Sequence, residues 1–193
     1  KQITQDSRAW VAGLSDEGGA GSWLGAMMKQ LIQPEKAEIE KLELFIDETL
    51  WGGIQYDEGK RKYGVKKSIF YYEPDSLPKG TYRDDINYNT WAAWNKEHAG
   101  DPGRSYNYPH VAAAYWVMYR LSRYHEGLVD NHDWKWYLEQ AYHTSVTMPE
   151  LAPWYAVFGQ MEGTVFLNIL KDLQAEGLTE MATSLEASMK KRA

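Results

Sequence analysis

Cysteine is absent from the 193 residues, which excludes disulfides and thiol chemistry and leaves the redox compartment unread. No apolar run approaches the roughly 20 residues that a bilayer requires, so no membrane span is expected. Basic runs are short, none longer than three residues (Lys60-Arg61-Lys62, Lys66-Lys67 and Lys190-Lys191-Arg192), and the formal net charge is −6. That balance argues against a nucleic-acid or anionic-membrane partner. Several catalytic signatures are missing as well. There is no HExxH or matched carboxylate spacing for a metal, so none is assigned, and no cofactor is expected. There is no GxSxG elbow for a serine hydrolase. Gly18-Gly19-Ala20-Gly21 lacks the lysine of a P-loop and the preceding strand of a dinucleotide site.

What is present is ordinary in bulk, with 44% hydrophobic and 25% charged residues, as in a soluble globular protein. The aromatic content is not ordinary: 9 Trp and 14 Tyr stand against 4 Phe. Trp and Tyr combine a stacking face with a polar handle, which suits core edges and clefts that hold sugars. The length allows one domain with its own core, or close to half of a larger one. The opening, KQITQDSRAW, has neither an initiator Met nor a signal peptide, and the close, SLEASMKKRA, runs in helical sequence without a cap. Both read as cuts in a longer chain.

Helical segments are expected at about 19–32, 34–50, 109–125, 132–147, 160–176 and 179 to the end, with Gly127 and Gly177 at helix stops. They differ in kind by turns. The third contains Val111 to Tyr119 without a charge, and the first (SWLGAMM) and fifth (TVFLNIL) resemble it. The second carries Ile39, Leu42, Phe45 and Ile46 on one stripe, and the fourth and sixth are also amphipathic. Odd helices inside and even helices outside give a double layer of αα-hairpins.

The connections repeat the contrast. Odd-to-even turns are plain, whereas the segments entering odd helices are rich in aromatic and polar residues: GLSDEGGAGSW, RSYNYPH and PWYAVFGQMEG. A hairpin stack brings these three to one end of the inner layer, a rim holding Asp16, Glu17, Tyr106, Asn107, Tyr108, His110, Trp154, Gln160 and Glu162. The segment 51–107 is too long for a bare connection. Its Asp-Glu-Gly turn with β-leaning flanks predicts an inserted β-hairpin, followed by a short helix around 90–97. It also brings Arg83, Asp84, Asp85, Trp91 and Trp94 to the border of the rim.

The motifs SDEGGAGSW, YNYPHVAAAYWVMYRL, HDWKWYLEQAY and FGQMEG, in this order, resemble an uncharacterised bacterial family of six-hairpin glycosidase-like proteins. YNYPH and FGQMEG are the most specific parts. The resemblance implies an all-α chain, residues 1–193 forming the first half of an (α/α)6 toroid whose remaining half lies elsewhere in a longer chain. It also implies a carbohydrate-active enzyme that is exported, whether secreted or periplasmic. It supplies no catalytic assignment.

Each motif has a structural and a functional reading. Asp16 or Ser15 caps the first helix and Glu17 favours its positive end, or one carboxyl is a general acid or base at the toroid mouth. Glu162 is a first-turn acid of the fifth helix, or the partner carboxyl. Glycoside hydrolysis needs two carboxyl groups facing one bond, and the ranked candidates are Glu17, Glu162, Asp16 and Asp85. Tyr106-Asn107-Tyr108-Pro109-His110 starts a helix and packs, or forms a sugar subsite, or moves protons in polysaccharide β-elimination. Trp23, Tyr106, Asn107, Tyr108, His110, Trp154, Gln160 and Arg83 are the expected substrate-binding residues. His125, His132 and His143 read as structural or exposed, and Trp134 to Tyr137 as packing between layers. The expected activity is hydrolysis of a neutral oligo- or polysaccharide. A non-catalytic helical module binding glycan or protein is the first alternative, and a polysaccharide lyase the second.

Overall fold

The uncharged run Val111–Tyr119 has no polar face to turn to water, and it forms the middle of the most deeply buried helix of the molecule. The structure is a computed structural model that describes residues 20–85, 94–156 and 163–192. Among them the chain is mostly helical, and the elements are α1 (Ala20–Lys29), α2 (Lys36–Phe45), α3 (Lys96–Ala99), α4 (Asn107–Tyr124), α5 (Trp134–Leu151), α6 (Pro153–Ala156), α7 (Gly163–Ala175) and α8 (Thr179–Arg192). No helix among these residues is long and apolar enough to cross a membrane.

Local chemistry sets the boundaries. Helix α4 begins two residues before Pro109, which sits in the first turn where its missing N–H leaves no gap. Gly127, at φ 74°, takes the left-handed turn that follows α4, and Gly177, at φ 73°, does the same between α7 and α8. Asp133 caps α5, its side chain accepting from the Trp136 amide at 2.8 Å. Helix α2 continues to Leu50 through a wider turn, in which the Trp51 amide donates to Ile46 O at 2.8 Å.

Helices α4 and α5 form an antiparallel pair, as do α7 and α8. The WKWY cluster packs between helices as its spacing predicts: Trp134 meets Tyr119 edge-on at 6.3 Å, Trp136 meets Tyr115 at 5.8 Å, and Tyr137 is fully buried. Helix α4 also packs on α1 and α7, and α8 on α5. The α4–α7 pair is parallel, because its cross-links advance together along both helices. Trp116 and Arg120 bond Asp172, and Tyr119 and Arg123 bond Glu176. Run back to their starts, Gly163 falls opposite the first turn of α4. Leu31, just beyond α1, lies beside Arg120 and Tyr124 near the end of α4, so α1 runs the same way. The three helices therefore begin at one end of the molecule.

The odd helices are not equally enclosed. Helix α4 is buried almost throughout, whereas α1 fully buries only Ala20 and Met27, and α7 leaves Leu167 exposed.

Residues 51–85 and 94–106 wrap over the start of α4. The expected β-hairpin is reduced here to one antiparallel bridge, Gln55 to Val65, beside bonds from Tyr56 N to Gly64 O and from Tyr63 N to Tyr56 O. A ladder does not extend because Gly59 (φ 68°) and Tyr63 (φ 67°) turn the chain left-handed. The short helix α3 starts at Lys96, where Asn95 caps it through the His98 amide, and residues 90–93 of the expected helix lie outside the described residues.

Candidate functional site

The common end of α1, α4 and α7 is where the sequence places its rim. Glu17 precedes α1 by three residues and Glu162 directly precedes α7. Asp16, Glu17, Gln160 and Glu162 themselves lie outside the described residues.

The start of α4 is built from buried polar contacts. Asn107 is fully buried, and its amide donates to the carbonyls of Lys66 at 2.9 Å and Lys67 at 3.2 Å. Tyr108 is also fully buried, and its hydroxyl donates to Pro102 O at 2.8 Å. Burial pushes the Tyr108 phenol well above its ordinary range. Both side chains thus fix the wrapping segment to the helix. Being fully buried, neither offers the ligand contact expected of it. His110, 6% exposed, hydrogen-bonds through Nδ1 to Tyr106 O at 2.9 Å. A carbonyl only accepts, so Nδ1 is the protonated donor in this bond. Tyr106 is half-buried with the Arg104 guanidinium 5.7 Å from its ring centroid.

The remaining candidates are spread apart in role. Trp154, in α6, is 86% exposed, with its indole available to a ligand. Trp23 packs against Phe45 of α2 at 5.4 Å, so one side of its ring is used in the fold. Asp85 and Arg83 form an exposed pair, with Nε to Oδ1 at 2.9 Å and Nη2 to Oδ2 at 2.5 Å. The hydrogen bond from Arg83 holds the Asp85 carboxyl below its ordinary value. An acid held ionised in this way is a poor proton donor near neutrality.

Trp94, expected at the border of the rim, meets a residue with no role in the sequence reading, Lys67. Lys67 places its ammonium 4.3 Å from the Trp94 ring centroid, and its backbone holds Asn107. Burial, then the nearby Arg104 charge, lower its pKa against an opposing pull from Asp101. Desolvation disfavours the charged form, while the Trp94 ring face favours the ammonium. No local signal marks it, because its partners stand far along the chain.

Among the described residues no group of three His, Asp or Glu side chains is placed to hold a metal. His132 bonds Asp47 at 2.8 Å and stacks on Trp136 at 3.8 Å, while His143 stacks on Tyr63 at 4.4 Å. Both are structural, and His125 is exposed, as their positions in the sequence imply.

No curated protein and no solved structure matches the chain. A family model, described as a family of unknown function, matches residues 1–193. By this match over residues 1–193, the chain belongs to the DUF5695 family.

Proposed function

We propose that the protein is a glycoside hydrolase acting on a neutral oligo- or polysaccharide by carboxylate acid/base catalysis. The observation that carries this reading is the parallel run of α1, α4 and α7, whose starts share one end of the molecule. The covalent chain ties Glu17 and Glu162 to two of those starts, and the Tyr106–His110 block is the third. Glycosidic cleavage needs two carboxyl groups, one acid and one base or nucleophile across a bond, and Glu17 and Glu162 are the candidates that the chain joins to these helix entries. Exposed Trp154 and half-buried Tyr106 supply aromatic surface for sugar rings.

The antiparallel pairs α4–α5 and α7–α8, side by side, support reading the chain as half of an (α/α)6 toroid. The partly exposed apolar residues of α1 and α7 are the surfaces a second half would cover. In that reading residues 51–107 are an insertion over the toroid mouth, and the whole protein is exported to meet its glycan.

Reducing-end release across a panel of neutral glycans tests the proposal. Release without an unsaturated product supports hydrolysis. A product absorbing in the near ultraviolet would instead mean β-elimination. The burial of Asn107 and Tyr108, with the Asn107 amide N–H and the Tyr108 hydroxyl committed to the fold, weighs against that outcome. Binding with no cleavage of any glycan would make the chain a binding module.

A further inference from the structure

Trp116, Arg120 and Tyr124 stand one helical turn apart and share a face of α4. With Asn168, Lys171 and Asp172 of α7 they line a groove of about 410 Å³. This groove is separate from the rim. At the rise of an α-helix, Trp116 lies roughly 13 Å and Tyr124 roughly 25 Å beyond the first residue of α4.

The walls are fixed by their own contacts. Trp116 donates its indole N–H to Asp172 Oδ2 at 2.7 Å, and Arg120 Nη1 donates to Oδ1 at 3.1 Å. The Arg120 guanidinium carbon lies 4.6 Å from the Tyr124 ring centroid and 5.9 Å from that of Trp116. Asp172 uses Nη1 alone, which leaves the Nε and Nη2 donors of the half-buried guanidinium for another acceptor. Lys171 is exposed beside it, so two cations face one carboxylate in a chain of net charge −6.

We propose that this groove binds a carboxylate-bearing sugar unit, a uronate. A carboxylate accepts two parallel N–H bonds from a guanidinium, and Lys171 adds charge. The rings of Trp116 and Tyr124 suit the C–H face of a pyranose, and the Asn168 amide both donates to and accepts from hydroxyls. An inorganic anion would leave the rings unused. A neutral sugar would leave the guanidinium donors unanswered. The inference shares the glycan ligand class with the proposed function but not its catalytic acids, so the rim cleaves neutral linkages of a polysaccharide that also carries acidic units.

The test uses the intact protein labelled with ¹⁵N, titrated separately with glucuronate, glucose and inorganic phosphate. The Trp116 indole N–H resonance, identified by its loss in Trp116→Phe, reports on the groove. Glucuronate is expected to move it at concentrations where glucose and phosphate do not. Lys171→Gln, at an exposed position that leaves the fold intact, should weaken binding severalfold. Arg120→Lys should weaken it on the order of tenfold, since the paired geometry is lost while the charge stays. Glu17→Gln should leave it unchanged. Glucose acting as strongly as glucuronate would overturn the inference, as would phosphate doing so, or an indole resonance that none of the three moves. A uronate response in a protein that cleaves no glycan supports the groove and removes the hydrolase reading.

Discussion

The indole N–H of Trp116 and the carboxylate of Asp172 meet at 2.7 Å across the α4–α7 interface, and the bond fixes the parallel register of the two helices. Asp172 also accepts from Arg120, and its side chain is 12% exposed. One carboxylate therefore satisfies a half-buried donor and a half-buried cation.

Asp172→Ala leaves the indole N–H and the guanidinium without their acceptor. It should lower unfolding stability by about 2–3 kcal/mol. Asp172→Asn keeps an acceptor for Trp116 and loses only the ion pair, so about 1 kcal/mol is expected. Urea denaturation of both variants checks the order, and equal losses would contradict it.

Gln55 is the fastening of the wrapping segment. Its amide donates to Tyr63 O at 2.9 Å and Thr144 Oγ1 at 2.7 Å, and its carbonyl accepts from the Tyr115 hydroxyl at 2.9 Å. The bonds to Thr144 and Tyr115 are buried and that to Tyr63 O is partly so, and Gln55→Leu should cost about 2–4 kcal/mol by stranding these groups. Adding Tyr115→Phe removes one stranded hydroxyl. The double variant should then be less destabilised than the sum of the single changes, a non-additivity that a double-mutant cycle in urea measures.

These two networks mark the limit of what sequence patterning reveals. The burial of α4 is legible because no charge interrupts Val111–Tyr119, and the shared end of α1, α4 and α7 follows from the alternation of helix types. The failed hairpin ladder is not legible. It depends on left-handed backbone at Tyr63, and Gln55 takes the Tyr63 carbonyl from across the turn. Asn107 and Tyr108 looked like ligand contacts because exposed and buried polar residues share one alphabet. Their partners Lys66, Lys67 and Pro102 appear only once the chain folds back. Likewise nothing local links Trp116 to Asp172, 56 residues on.

His143 gives the fold a dependence on pH. Burial against Tyr63, opposed by Glu139 and aided by Lys62, lowers its pKa below the ordinary 6.5. The unfolded chain therefore takes up a proton first as pH falls. Stability from this group is intact above 6.5 and declines as pH drops through that value towards the lower folded one. His143→Gln should lose less stability than wild type between pH 7.5 and pH 5. Denaturation curves at the two pH values check this, and equal losses would show that His143 titrates normally.

The most direct measurement of the central claim is the rate of reducing-end release by wild type, Glu17→Gln and Glu162→Gln in the intact protein. Hydrolysis by rim carboxylates predicts release by wild type. It also predicts a fall of about 10²-fold or more in at least one variant, with unchanged unfolding transitions. Release that both substitutions leave intact would contradict it.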